Sequence, residues 1–236
     1  MSHAFNMLRN VRTLTFDLDD TLWDNSPVLK AAEQSLYDWL GEHYPRVTAR
    51  YSLASMRTLR QDLLQTAPEL RHDVTRLRKM SLRVVAQSTG YDDSLVEAAF
   101  EVFLEARHRV TVYSDVVPAL QRLRRAGYRL GTLTNGNADV RRVGLGYLFD
   151  FMLLAGSTGR AKPDPHMFDE ACRLTRVAPA ELAHVGDDPG TDLAGAQTAG
   201  VTVVWMNRRS QAAHPGVAHH AEIRDMTELL TLLGLD

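Results

Sequence analysis

Apolar residues fall along this chain in two different rhythms. Val11 to Leu18 mixes β-branched and large apolar residues and then runs into acids, the pattern of a short buried strand ending at Asp17. From Pro27 to about Arg109 the spacing changes to three and four. Leu29, Ala32, Leu36, Trp39 and Leu40 follow it, then Val74, Leu77, Val84 and Val85, then Leu95, Ala98, Ala99, Val102 and Phe103. This stretch reads as helix throughout.

After Ser114 helices and strands alternate. A helix from Val116 to Arg125 stops at Gly127, and a strand runs from Tyr128 to Thr134. The cycle repeats with a helix near Ala138 to Leu145 and a strand at Phe151 to Ala155, then a helix from Pro165 to Leu174 and a strand at Leu182 to Gly186. A helix near Thr191 to Ala199, a strand at Val201 to Met206 and a closing helix at Met226 to Leu233 complete it. Short, continuously apolar strands alternating with helices signal a parallel sheet covered on both faces. The expected fold is therefore α/β, a doubly wound parallel sheet with an inserted all-helical domain. The core takes residues 1–23 and 113–236 and the insert residues 24–112. In such sheets ligands bind beyond the carboxyl ends of the strands, so the polar residues after each strand are the candidates for chemistry.

Composition narrows the function classes. The 236 residues carry 27 lysines and arginines against 29 acids, for a net charge of −2, with 44% hydrophobic and 24% charged residues. That balance gives no cationic field for nucleic acid or an anionic membrane, so neither is expected as a partner. Cys172 is the single cysteine, which fits a reducing, cytoplasmic location. The apolar runs fall far short of a membrane span, and Asp17 breaks the first of them before it can serve as a signal-peptide core.

Four strand-end segments carry the candidate chemistry. Strand one ends Phe16-Asp17-Leu18-Asp19-Asp20-Thr21, and two carboxylates held this close call for a cation, Mg²⁺ being the natural choice for an all-oxygen site. Strand two ends Thr134-Asn135-Gly136-Asn137, whose hydroxyl, amide and flexible glycine can bind phosphate oxygens. Lys162 precedes Pro163-Asp164-Pro165, a helix start, and can project a cation into the site. The fourth segment, Gly186-Asp187-Asp188-Pro189-Gly190-Thr191-Asp192, offers Asp187 as a second metal carboxylate. Asp188 or Asp192 stands behind it to hold metal-bound water or to orient Lys162. Each segment alone reads equally well as a turn or a helix cap; four at strand ends of one sheet do not. Other sites are poorly supported. An EF-hand lacks its third acid at Thr21, and Gly144 and Gly146 lack the third glycine of a dinucleotide loop. His219 and His220 have no cysteine partners for zinc and read as solvated histidines of a polar tail loop.

These segments resemble the haloacid dehalogenase superfamily of phosphatases over the whole chain, with the insert at the place of the helical cap. Within it the chain is similar to the bacterial YigB-like phosphatases. The segments Thr15 to Leu22, His72-Asp73-Val74-Thr75-Arg76, Thr134 to Ala138 and His184 to Asp188 carry that likeness. The resemblance implies a Mg²⁺-dependent phosphomonoester hydrolase working through an aspartyl phosphate. Its substrates would be flavin mononucleotide and 5-amino-6-(5-phospho-D-ribitylamino)uracil, or else another small phosphorylated metabolite. It implies Asp17 as nucleophile and Asp19 as general acid and base, and it assigns Mg²⁺ to Asp17, Asp187 and the backbone carbonyl of Asp19. Phosphate would meet Thr134, Asn135, Lys162 and the backbone at Leu18 and Asp19. In the insert, His72 and Asp73 either bind ligand or cap a helix near Val74, and Trp23 either packs beneath the hinge or touches substrate. Arg76, Lys79 and Arg83 share a helix face that either greets an anion or stands in solvent. A haloacid dehalogenase needs no acid at Asp19 and no metal pair, and a response-regulator receiver has no helical insert. A non-catalytic phosphate-binding module would have lost at least one of Asp17, Asp19, Lys162 and Asp187.

Overall fold

Six parallel strands form the sheet of the computed structural model, which describes residues 8–212, 216 and 218–235. They are β1 (Thr13–Phe16), β2 (Arg129–Thr134), β3 (Phe151–Leu154), β4 (Leu182–Gly186), β5 (Thr202–Met206) and β6 (Ala221–Ile223), in the order β3-β2-β1-β4-β5-β6. Central β1 pairs with β2 on one side and β4 on the other, so Phe16 stands opposite both Thr132 and Val185. The strand order therefore reverses direction between β1 and β4, and the crevice beyond their carboxyl ends is where a doubly wound sheet gathers its loops.

Strand alternation sends residues two apart to the same face. Leu14, Phe16, Val185, Val204 and Met206 pack on one side with Leu120, Leu123 and Met226. Leu133, Val203 and Trp205 pack on the other with Met167, Phe168 and Ala196. The covering helices are α6 (Val116–Arg125), α7 (Ala155–Thr158), α8 (His166–Thr175), α9 (Ala194–Thr198) and α10 (Met226–Leu232). Every residue of β1 is buried, and full burial of an apolar side chain such as Phe16 contributes about 1.5–3 kcal/mol. The strand that leads into Asp17 is thus packed on both faces.

The helical insert contains α1 (Asn25–His43), α2 (Pro45–Arg50), α3 (Leu53–Thr66), α4 (Val74–Ser88) and α5 (Ser94–Arg107), with a 3₁₀ turn at Pro68–His72. Its apolar stripes meet in a core of their own, built on Leu36, Leu40, Leu82, Val85, Leu95 and Phe103. Three short polar side chains start its helices. Asp24 accepts from the Ser26 N–H, Ser52 and Ser55 form a reciprocal capping box, and Asp73 accepts from the Arg76 N–H. Among the described residues no helix is long and apolar enough to cross a membrane.

Several expectations need correction. The segment Ala138 to Leu145 forms turns rather than a helix. The Asp139 N–H donates to His108 Nε2 at 2.9 Å, Asp139 Oδ1 accepts from the Arg141 N–H at 2.8 Å, and Gly144 adopts φ +88°. These local bonds compete with a helical ladder, and the positive φ ends it. The helix expected from Thr191 begins instead as a π-helical turn, Pro189–Leu193, before α9. Strand β6 was hidden in a polar tail because it is only three residues long. The neighbouring His220 is not a solvated histidine: its Nδ1 accepts from the Val203 N–H at 2.9 Å.

Candidate active site

The loop after β1 is shaped to hold two carboxylates apart. The Asp17 N–H donates to the Val185 carbonyl at 2.9 Å, which anchors Asp17 to β4 at the switch in strand order. Asp20 adopts a left-handed φ of 61°, tolerated by an aspartate, and its N–H closes the loop on the Trp23 carbonyl at 2.8 Å. Trp23 is fully buried and donates from Nε1 to Asp19 Oδ1 at 2.9 Å. It both packs under the hinge and fixes Asp19.

Lys162 is the hub. Its Nζ donates to Asp17 Oδ1 at 2.7 Å, to Asp192 Oδ1 at 2.5 Å and to the Leu133 carbonyl at 2.6 Å, with its side chain 1% exposed. Burial opposes its cation, but Asp17 and Asp192 outweigh that and raise its pKa. Burial raises the carboxyl of Asp17, Lys162 pulls it back, and Asp192, Asp187 and Asp19 add their repulsion. Burial would likewise raise Asp192, yet Lys162 and His184 hold it far below the usual carboxylate range. The backbone of Lys162 is clamped in turn by Asn135, whose Nδ2 donates to the Lys162 carbonyl at 2.9 Å and whose Oδ1 accepts from the Lys162 N–H at 2.8 Å. Asn135 therefore spends its side chain on positioning the lysine. Thr134 Oγ1 accepts from the Gly136 N–H at 2.9 Å, which leaves the hydroxyl proton free to donate. A Cβ at Gly136 would stand 3.0 Å from Asp19 Oδ2 and 3.2 Å from Thr134 Oγ1, so a larger residue there would press on both.

Carboxylate oxygens of Asp17, Asp187 and Asp192 lie within 4.8 Å of one another. Asp192 is already committed: Oδ1 faces Lys162 and His184 Nε2, and Oδ2 accepts from the Asp188 N–H at 3.1 Å. Its side chain also fills the place of a Cβ at Gly186, only 2.4 Å away. Asp188 caps the turn that follows, accepting from the N–H groups of Gly190 and Thr191. That leaves Asp17 and Asp187 to face a cation. Burial first, then Asp192, Asp20 and Asp188, push the Asp187 carboxyl up to about 7, as expected of a carboxylate short of positive charge. Two hard oxygen donors in an anionic crevice suit Mg²⁺.

Two residues of the site escaped the sequence reading. Arg107, the last residue of α5, reaches back from the insert and grips both oxygens of Asp19 at 2.5 and 2.6 Å with its side chain 2% exposed. His184 in β4 bridges Thr15 Oγ1 at 3.0 Å and Asp192 Oδ1 at 3.2 Å. Burial lowers its pKa, and since a carboxylate only accepts, its Nε2–H donates to Asp192. In the insert, Asp73 caps α4, and His72 Nδ1 accepts from the Ala161 N–H at 3.3 Å, docking the insert beside the lysine loop. Asn137 adds a second tie from its Nδ2 to Thr75 Oγ1 at 3.3 Å. Arg76 is exposed, and Lys79 and Arg83 pair with Glu97 and Asp93 within the insert, so this helix face stands in solvent.

The family model for haloacid dehalogenase-like hydrolases matches residues 11–200, which span all four strand-end loops and the insert. The chain belongs to that family. Among relatives of this hydrolase, the 5-amino-6-(5-phospho-D-ribitylamino)uracil phosphatase YigB of Escherichia coli is 32% identical across 97% of this chain and 99% of that protein. The phosphoserine phosphatase of Thermus thermophilus is 30% identical across 93% and 98%. A crystal structure of 2-haloacid dehalogenase from Pseudomonas syringae superposes with a TM-score of 0.90 at 39% identity, covering 95% of this chain and 98% of that one.

Proposed function

We propose that this chain, a phosphoric monoester hydrolase, uses Asp17 as a nucleophile on phosphorus and acts on 5-amino-6-(5-phospho-D-ribitylamino)uracil and flavin mononucleotide. The observation that carries the mechanism is Lys162 bridging Asp17 and Asp192 while an Asp187 oxygen lies within 4.8 Å of theirs. This arrangement sets a lysine cation against the carboxylate where an anionic ester must approach. The choice of ester follows the Escherichia coli relative, matched end to end.

In the first step an Asp17 oxygen forms a bond to phosphorus as the ester oxygen departs, and Asp19 delivers its proton to that departing alkoxide. In the second, water attacks the aspartyl phosphate, its proton passes to Asp19, and the Asp17–phosphorus bond breaks to release inorganic phosphate. Lys162, the Thr134 hydroxyl and the backbone N–H groups of Leu18 and Asp19 oppose charge on the transferring oxygens. Arg107 and Trp23 orient Asp19, and the insert at 24–112 serves as a cap that excludes bulk water. Asp17, Asp187 and the Asp19 carbonyl would hold Mg²⁺, which when bound supplies charge that offsets the repulsion between nucleophile and phosphate.

Metal dependence is the first test. Chelation should abolish turnover of flavin mononucleotide and Mg²⁺ should restore it, whereas Ca²⁺, with its larger and looser shell, should inhibit. Full turnover after exhaustive chelation would remove the metal from the account. Assaying a panel of phosphorylated metabolites beside it, including nucleotides and sugar phosphates, tests the choice of ester.

The Pseudomonas syringae structure favours a second reading, attack of Asp17 on a halogen-bearing carbon. That chemistry needs neither a proton donor at Asp19 nor Asp187 beside the nucleophile, and both are built in here. Replacing Asp19 distinguishes the two. Asp19→Asn cannot protonate a leaving alkoxide, so the first step should slow less with nitrophenyl phosphate, whose phenolate leaves unaided, than with flavin mononucleotide. Equal slowing for both esters would reduce Asp19 to a metal-site residue, and metal-independent halide release from 2-haloacids by the parent protein would establish the dehalogenase reading.

A further inference from the structure

The cap carries more positive charge than its own structure uses. Glu33 of α1, 6% exposed, is met by three guanidinium groups: Arg57 and Arg60 from α3, and Arg78 from α4 at 3.5 Å. One carboxylate cannot neutralise three cations. Arg78 lies 3.6 Å over the Phe103 ring, and its Nη1 is one of two buried guanidinium nitrogens without a hydrogen-bond partner among the described residues. The other is Nη1 of Arg107, the residue that grips Asp19. Burial first, then Arg60, draws Arg78 down to about 9, and Arg107 adds to the repulsion. A buried cation left with a free donor is costly unless something else completes it.

A cavity adjoins this cluster. It measures about 570 Å³, within the range that holds a small organic ligand, and lies between α1 and α3 with Leu77 of α4. Its walls are of two kinds. Leu29, Leu64 and Leu77 offer an apolar surface, while Lys30, Arg57 and Arg60 offer cations. Asp20, one residue after the proposed acid, stands at its core side, and its own charge is taken by Arg209 at 2.7 Å. Asn25 lines the cavity too, and its buried Oδ1 has no hydrogen-bond partner among the described residues.

We propose that this cavity receives the leaving group, and that its guanidinium groups select phosphate monoesters whose leaving group presents a carboxylate or ring-dione oxygen. The inference rests on the phosphatase reading above. An apolar wall takes the body of the leaving group. Arg57 and Arg60 meet its oxygen, the Asn25 amide meets a polar edge, and Arg78 behind them supports the positive field. An oxygen of this kind provides a second acceptor for Arg57 and Arg60, which line the cavity and share one glutamate with Arg78.

Two matched pairs of esters test it on the whole chain with Mg²⁺. 4-Carboxyphenyl phosphate is compared with phenyl phosphate, and flavin mononucleotide with ribitol 5-phosphate, which lacks the dione ring. The parent should favour the oxygen-bearing member of at least one pair by roughly ten- to a hundredfold in kcat/KM, mostly through KM, a tenfold ratio being about 1.4 kcal/mol. A preference in the first pair alone names the carboxylate as the source, and in the second alone the dione; either supports the proposal. Arg60→Met should bring the favoured ratio close to one, and Arg60→Lys should recover part of it. Arg57→Met, at a half-exposed side chain, should shift the same ratio in the same direction. Hydrolysis of all four esters with no preference in either pair overturns the inference and leaves the phosphatase reading standing. So does a preference that survives both Arg57→Met and Arg60→Met. Failure of the parent to hydrolyse any of the four overturns that reading and the inference with it.

Discussion

Asp17→Asn should remove hydrolysis of every phosphate ester, because no other group among the described residues offers phosphorus a carboxylate in bonding contact with Lys162 Nζ except Asp192, whose oxygens are already spent. An amide oxygen at position 17 is a poor nucleophile and carries no charge to direct at phosphorus. The same substitution removes one of the crowded carboxylates. Lys162 keeps Asp192 as its partner, and Asp187 loses a neighbour of like sign. Without metal the variant should therefore melt no lower than the parent, and added Mg²⁺ should raise its melting temperature less. Thermal melts with and without Mg²⁺, beside a turnover assay, check both halves. Residual turnover above about a thousandth of the parent would place the nucleophile elsewhere, since that fraction corresponds to only roughly 4 kcal/mol of barrier.

Lys162→Met should cost turnover about a hundred- to a thousandfold, the usual effect of deleting one preorganised electrostatic group beside developing charge. Its effect on folding is the more particular expectation. The lysine is fully enclosed and supplies three bonds, two of them to carboxylates that would be left buried without their cation. Breaking such a buried pair costs about 3–5 kcal/mol. Mg²⁺ should return part of that loss, because Asp17 can turn its charge to the metal, whereas Asp192 has only His184 and the Asp188 N–H left. Denaturant melts of the variant should show a larger Mg²⁺-dependent gain than melts of the parent. Turnover within about twofold of the parent would return Lys162 to the status of a solvated loop lysine.

The sequence was most legible where local physics decides. Continuous apolar runs flanked by polar residues located five of the strands, and each candidate of the first motif, Thr134, Lys162 and Asp187 followed from standing at a strand end. The three-and-four spacing of Leu36, Leu40, Val85, Leu95 and Phe103 announces a helical insert, and these residues do form its core. The illegible parts depend on pairings across the chain. Arg107 sits 88 positions from Asp19, and nothing in a helix ending Glu105-Ala106-Arg107 says that its last side chain turns back to the core. His184 reads as one more strand residue until Asp192 closes on it through the π-helical turn. Glu33 looks like an exposed helix acid, and only the approach of α3 and α4 buries it among arginines. The position of Asn135 at a strand end suits a phosphate ligand, but its amide matches the Lys162 backbone donor for acceptor. The same limit explains the missing helix at Ala138 to Leu145, where His108 captures the N–H of Asp139.

The central claim is that phosphate passes through a covalent bond to Asp17. Rapid acid quench of the parent protein mixed with Mg²⁺ and a ³²P-labelled flavin mononucleotide tests it most directly. The account predicts protein-bound label that appears within the first turnover, decays as inorganic phosphate is released, maps to the peptide containing Asp17, and persists longer in Asp19→Asn, where the attacking water lacks its base. Release of labelled phosphate at the parent's normal rate with no protein-bound label at any quench time, or label on a residue other than Asp17, would contradict it.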